Sequence, residues 1–90
     1  MPIESKEEFL SKVEVGNRIQ VPVIVRWKNR LEPGEVLRVY IRHRFLSRSF
    51  YAKYRKDHRI TIPKLAAKDL ELKPGSIVEV TLFGEKEEKE

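Results

Sequence analysis

Sliding the sequence along itself by 41 positions lays residues 9–41 over residues 50–82 without a gap. Nine pairs are then identical: Phe9/Phe50, Lys12/Lys53, Arg18/Arg59, Ile19/Ile60, Pro22/Pro63, Leu31/Leu72, Pro33/Pro74, Gly34/Gly75 and Val39/Val80. Others, such as Val21/Ile62, Ile24/Leu65 and Val36/Ile77, are conservative. Proline and glycine recur at fixed offsets, and these residues specify turns, so the chain reads as two copies of one unit.

Each copy has the same local pattern. Residues 9–15 and 50–56 interleave aromatic and branched side chains with charges, as strands do. Gly16-Asn17 is a hairpin signal, and Asp57-His58 occupies the same slot. Residues 18–21 and 59–62 alternate polar and apolar, which predicts half-buried second strands. Pro22 and Pro63 suit the first turn of a helix, and short helices are expected over 23–29 and 64–70. Pro33-Gly34 and Pro74-Gly75 mark turns, followed by Val- and Ile-rich third strands at 35–41 and 76–82.

A lone ββαβ unit leaves an apolar face uncovered and strand edges open. Two units related by a pseudo-two-fold axis can cover each other and close a barrel. The expectation is therefore a mainly β fold, a single pseudo-two-fold six-stranded closed β-barrel built from two ββαβ halves with one short helix each. Its expected core is Val13, Ile19, Val21, Ile24, Leu31, Val36, Val39, Ile60, Ile62, Leu65, Leu72, Ile77 and Val80. Residues 1–84 are expected to form one barrel domain, with repeat one at 9–41, a connector at 42–49 and repeat two at 50–82. Residues 85–90, an acidic stretch without apolar content, are expected to be a disordered tail.

Ninety residues suit one domain. With no cysteine, neither disulfides nor thiolate metal sites are available. The longest apolar run, residues 21–25, is too short to span a bilayer, and the polar, acidic amino terminus does not read as a secretory signal. A cytoplasmic protein with no membrane partner is expected. The net charge of +5 is uneven: residues 1–10 and 85–90 each carry −2, which leaves +9 on the body between them. Such a body suits a polyanion partner. Abundant Lys, Glu and Arg with one Gln and two Asn also match a thermophile surface.

Catalysis finds little support, and the protein is read as a non-enzyme without cofactor or metal. His43 lies in a basic run without a nearby carboxylate, and His58 sits beside Asp57 in a turn. Metal sites need several ligands at suitable spacing, and neither a GxxxxGK[ST] loop nor a GxGxxG run is present. A basic surface is better supported. Residues 42–56 hold Arg42, Arg44, Arg48, Lys53, Arg55 and Lys56 and no acid. Clustered Lys and Arg act on phosphate through counterion release. Phe45, Phe50, Tyr51 and Tyr54 either stack on bases or alternate inward along a strand. Arg18 and Arg59 each follow a hairpin, so either they satisfy turn carbonyls or a pseudo-dyad presents them as a pair. Trp27 either packs on its helix face or, as its polar repeat partner Lys68 suggests, is partly exposed among Arg26, Lys28 and Arg30.

Residues 58–80, HRITIPKLAAKDLELKPGSIVEV, resemble the AbrB/SpoVT-type DNA-binding domain, a cradle-loop barrel. That family carries a Gly-Arg-apolar-x-Ile-Pro run, a basic helix, a Leu-x-Pro-Gly-Asp turn and a Val-rich strand; the Gly-Asp pair is Gly34-Glu35 and Gly75-Ser76 here. Residues 17–39, NRIQVPVIVRWKNRLEPGEVLRV, are a second, more divergent match. Family members are mostly dimeric regulators or antitoxins, in which two chains interlock as a swapped-hairpin barrel and basic loops and helix ends bind DNA. The resemblance implies a DNA-binding, AbrB-like transcription regulator. It places Arg18 and Arg59 after the hairpins, Arg26 and Lys68 on the helices and Lys53 on a first strand, with Arg55 joining them from the basic stretch. With three strands per copy, the chain also looks like the related RIFT-like and double-psi six-stranded barrels. The alternative function is therefore a stand-alone RIFT-like module that binds a protein or a nucleotide. Because both halves lie in one chain, a monomer with DNA as partner is expected.

Overall fold

The computed structural model of the chain describes residues 6–83. In order, its elements are β1 (Glu7–Lys12), β2 (Arg18–Gln20), α1 (Val23–Asn29), β3 (Val36–His43), β4 (Leu46–Lys53), β5 (Arg59–Thr61), α2 (Lys64–Asp69) and β6 (Ile77–Phe83). β2 and β5, α1 and α2, and β3 and β6 begin at residues 41 positions apart. The causes are local and repeated. Pro22 and Pro63 precede the helices with φ of −60° and −57°, pre-set by the pyrrolidine ring. Arg30 and Glu71, copies of each other, turn left-handed (φ 51° and 58°) where the helices stop. Each Pro-Gly pair then forms a turn, closed by Glu35 N–H to Glu32 C=O (3.1 Å) and Ser76 N–H to Lys73 C=O (2.9 Å). Gly34 and Gly75 sit in these turns at φ 98° and 99°, the conformation that a type II turn reserves for glycine.

The long-range pairing is interleaved. β1 pairs with β6, β3 with both β6 and β4, and β2 with β5, all antiparallel. β1 to β3 belong to the first half and β4 to β6 to the second, so each of these ladders joins the two halves. The pattern has two-fold symmetry. Ile19 pairs with Ile60 and Tyr40 with Thr81, each a residue facing its own copy. Loop bonds follow suit: Gly34 N–H donates to the Tyr54 carbonyl at 2.8 Å, and Gly75 N–H to the Val13 carbonyl at 2.7 Å.

The expected closed barrel is corrected by this pairing. The strands form a four-stranded sheet, in the order β1-β6-β3-β4, and a separate two-stranded ribbon, β2-β5. β1 and β4 remain edges. Their link to the ribbon shrinks to a single bridge, Glu14 to Arg18, and its counterpart bond from Arg55 N–H to the Arg59 carbonyl. Three-residue ribbon strands that already pair with each other leave no ladder with which to close the sheet. What stands is a small, mainly β fold with antiparallel sheets.

The region expected as a connector, residues 42–49, is strand rather than loop. It lengthens β3 and β4 to eight residues each and leaves Arg44 and Phe45 in the turn. The acidic tail 85–90 lies outside the described residues. Among the described residues no helix is long and apolar enough to cross a membrane.

The core lies between the four-stranded sheet on one side and the ribbon and helices on the other. Val13, Ile19, Val21, Val39, Ile60, Ile62 and Val80 are buried as expected, and Leu31 and Leu72 pack against them half-buried. Ile24, Val36, Leu65 and Ile77 are instead exposed. A strand alternates its faces, so Val36 cannot share an inner face with Val39, nor Ile77 with Val80. Leu37, Ile41, Val78 and Leu82 take those inner places. The helices are about two turns long, and Val25 and Ala67, rather than Ile24 and Leu65, point inward.

Candidate nucleic-acid interface

The ribbon β2-β5 presents one inward and one outward face. Ile19 and Ile60 point in and are fully buried. Arg18, Gln20, Arg59 and Thr61 therefore point out, cross-paired as Arg18 with Thr61 and Gln20 with Arg59. An entirely polar outward face on a two-stranded antiparallel ribbon has the dimensions that fit the DNA major groove.

The two arginines of this face are in unequal surroundings. Arg59 Nε donates to Glu14 Oε1 at 2.6 Å, and its Nη1 donates to the Asp57 carbonyl at 3.3 Å. That bond holds the Glu14 carboxyl below the usual carboxylate range and raises Arg59 further. Arg18 makes long bonds, 3.4 Å from Nε and Nη2, to the Val15 carbonyl, and its charge also reaches Glu14 without a direct ion pair. The copy of Glu14 is Arg55, so the repeat supplies Arg18 with no counterpart of the Glu14–Arg59 ion pair. The pair expected at the dyad is thus positioned symmetrically but charged asymmetrically.

The other expected residues divide into groups. Lys53 and Arg55 come together with Lys56 around a shallow depression floored by Pro33 and Gly34, next to the turn that leads into β5. Both are exposed. Arg26 is half-buried on α1 beside Tyr54 and His58. Lys68 is exposed on α2, in the other half. Arg26 and Lys68 are not brought to one site. Of the aromatics, Phe50 is half-buried against the core and Tyr54 is 2% exposed, whereas Tyr51 faces outward and Phe45 at the hairpin tip is 98% exposed. Trp27 is 72% exposed, as its pairing with Lys68 suggested.

The histidines are placed by structure. His43 Nδ1–H donates to the Leu70 carbonyl at 2.8 Å, at the end of α2. His58 Nδ1 lies 2.7 Å from the Tyr54 hydroxyl. Burial pushes the Tyr54 phenol up, so it stays a neutral hydroxyl. Among the described residues no three His, Asp or Glu side chains gather as a metal site requires. Sequence reasoning missed Gln20 and Thr61, whose outward direction follows from the alternation around Ile19 and Ile60. It also missed the Tyr54–His58 contact, for which no local pattern signals.

No family model matches the chain, and no curated protein matches it. Among solved structures it is similar to PHS018 from Pyrococcus horikoshii, known from a solution structure. The two share 26% identity with a TM-score of 0.75, over 93% of this chain and 94% of that one.

Proposed function

We propose that the protein is a non-enzymatic, AbrB-like DNA-binding protein that acts in transcription regulation and presents the β2-β5 ribbon to duplex DNA. The observation that carries this reading is the ribbon's outward face, in which Arg18, Gln20, Arg59 and Thr61 flank a dyad. Antiparallel ribbons read base edges in the major groove, and Arg and Gln are the side chains that bond guanine and adenine there. Exposed Lys53, Arg55 and Lys56 beside the ribbon supply phosphate contacts. The interleaved ladders support the resemblance as well. Each half gives its first strand to the third strand of the other, as interlocked family members do between two chains. In this reading one chain is an internally duplicated, monomeric version of the swapped-hairpin arrangement, opened rather than closed.

Anisotropy titration of labelled duplex DNA across a salt series tests this. The expected result is affinity that falls steeply with salt, with a slope reduced by about 1 for each phosphate-contacting cation removed. Absence of binding at low salt, or binding indifferent to Arg18→Ala/Arg59→Ala, would sink the reading.

The second reading, a RIFT-like module that binds a protein, has its own observation. The outer face of the four-stranded sheet exposes Leu10, Val36, Tyr51 and Ile77, at two pairs of equivalent positions. Capture of a protein partner, abolished by Leu10→Lys/Tyr51→Lys and accompanied by no DNA affinity, would favour it.

A further inference from the structure

One cleft breaks the internal repeat at nearly every position. Arg26, Trp27, Arg30, Leu31, Tyr54 and His58 line an open cleft of about 360 Å³ beside α1. The residues 41 positions away are Ala67, Lys68, Glu71, Leu72, Val13 and Asn17. Only the leucine is repeated. The backbone, by contrast, is the same on both sides. Arg30 and Glu71 have φ of 51° and 58°, and His58 and Asn17 have φ of 65° and 58°. The second half builds this scaffold without any of the five distinctive side chains. Tyr54, like its copy Val13, is buried in the core, so folding accounts for it, but the exposed Trp27 and Arg30 have no such core role.

Their chemistry converges. The Trp27 indole is 72% exposed and offers a stacking face. Arg26 and Arg30 supply two planar, permanently charged groups suited to phosphate oxygens. The Arg26 guanidinium lies against the Tyr54 hydroxyl, which its charge and hydrogen bond influence. Buried Tyr54 and half-buried His58, joined at 2.7 Å, form a polar wall. Among the described residues no carboxylate lines the cleft. Glu35, whose charge reaches Tyr54, is not among the lining residues. The volume is at the small end of ligand clefts.

We propose that this cleft binds a free mononucleotide, with the base stacked on Trp27 and the phosphate held by Arg26 and Arg30 next to His58. The site adjoins the ribbon at His58, next to Arg59, but uses none of the ribbon's outward side chains and does not depend on the DNA-binding reading.

Trp27 is the only tryptophan of the chain, so its emission reports occupancy directly. The full chain is titrated with AMP, adenosine and inorganic phosphate. Saturable quenching by AMP is expected, with adenosine weaker by about tenfold or more and phosphate alone leaving the emission unchanged. Variants taken from the other half keep the backbone compatible: Arg26→Ala, Arg30→Glu and His58→Asn. Arg30→Glu is expected to weaken AMP by about tenfold or more, with the adenosine response unchanged. AMP and adenosine binding alike, an unsaturable AMP response at millimolar concentration, or equal AMP affinity in a folded Arg30→Glu variant would overturn the proposal. A single-stranded oligonucleotide carries the same base and phosphate. Saturation by such a strand with no response to AMP would overturn the assignment to a free nucleotide. Arg18→Ala/Arg59→Ala should leave the AMP titration as it is, which separates this result from the DNA experiment.

Discussion

Arg48 Nε lies 3.2 Å from the Asp69 carboxylate, and this contact is the Lys28–Glu7 pair of the other half, 3.3 Å apart, with both signs reversed. Each pair fastens a helix to a first strand, α2 to β4 and α1 to β1. The contact has been kept while its polarity was exchanged, so complementarity between the two positions is what matters there.

It follows that Asp69→Lys alone sets two cations together and is destabilising. Arg48→Glu/Asp69→Lys, which copies the first half's polarity, should recover most of the loss. Both side chains of the pair are about half exposed, so the single change should cost no more than about 1 kcal/mol. Urea denaturation of the two single variants and the double variant measures the coupling. Losses that simply add would contradict it.

The Glu14–Arg59 pair predicts a pH dependence. Folding holds the Glu14 carboxyl below its ordinary value, mainly through the bond from Arg59. A depressed carboxylate contributes stability that is present above its unfolded pKa, about 4.3, and is lost as pH falls through the lower folded value. Glu14→Gln should therefore be less stable than the parent near neutrality, and the gap should close in acid. Denaturation midpoints at pH 7 and pH 3 decide this, and a gap that stays constant would contradict it.

Gly34 and Gly75 offer a matched test of backbone strain. A methyl group at either position meets nothing within 4 Å, so the cost of Gly→Ala comes only from φ near +98°. Each change should lose about 1–3 kcal/mol, and the two losses should agree closely because the turns are copies. Markedly unequal losses in thermal or urea unfolding would show that the turns differ in more than sequence.

The ribbon's unequal arginines predict unequal effects on DNA binding. Arg18→Ala should weaken binding more than Arg59→Ala, because Arg59 is engaged by Glu14 and Asp57. Glu14→Gln should tighten binding at low salt by releasing Arg59 and removing a negative charge beside the phosphates. Affinity measured in parallel at two salt concentrations tests both statements. Tighter binding by Arg59→Ala than by the parent would run against them.

The sequence made the local elements legible and left their assembly obscure. Pro22 and Pro63 located both helices to within a residue, since proline's fixed φ acts without help from the rest of the chain. The turn at Arg44 and Phe45 carried no such mark. It has neither glycine nor proline, and Arg44 takes φ 59° only because flanking strands hold it there. Val36 and Ile77 were misplaced by treating matched apolar residues as core. Strand alternation, which puts Leu37 and Val78 inside instead, was the stronger rule. Barrel closure depended on which edges meet, and nothing local to residues 18–20 or 59–61 states that they pair with each other. Of the expected interface, Arg18 and Arg59 can be singled out in the sequence because they repeat. The cleft around Trp27 escaped because it lies where the repeat fails.

The interleaving of the strands has one more consequence. Every ladder runs from one half to the other, so a chain severed between Arg44 and Phe45 would yield two fragments with no sheet of their own. Their folding would then be a bimolecular association, governed by mass action and disappearing on dilution. In the intact protein a two-residue tether keeps each fragment's partner at a high effective concentration, which converts an assembly equilibrium into a property of a single molecule.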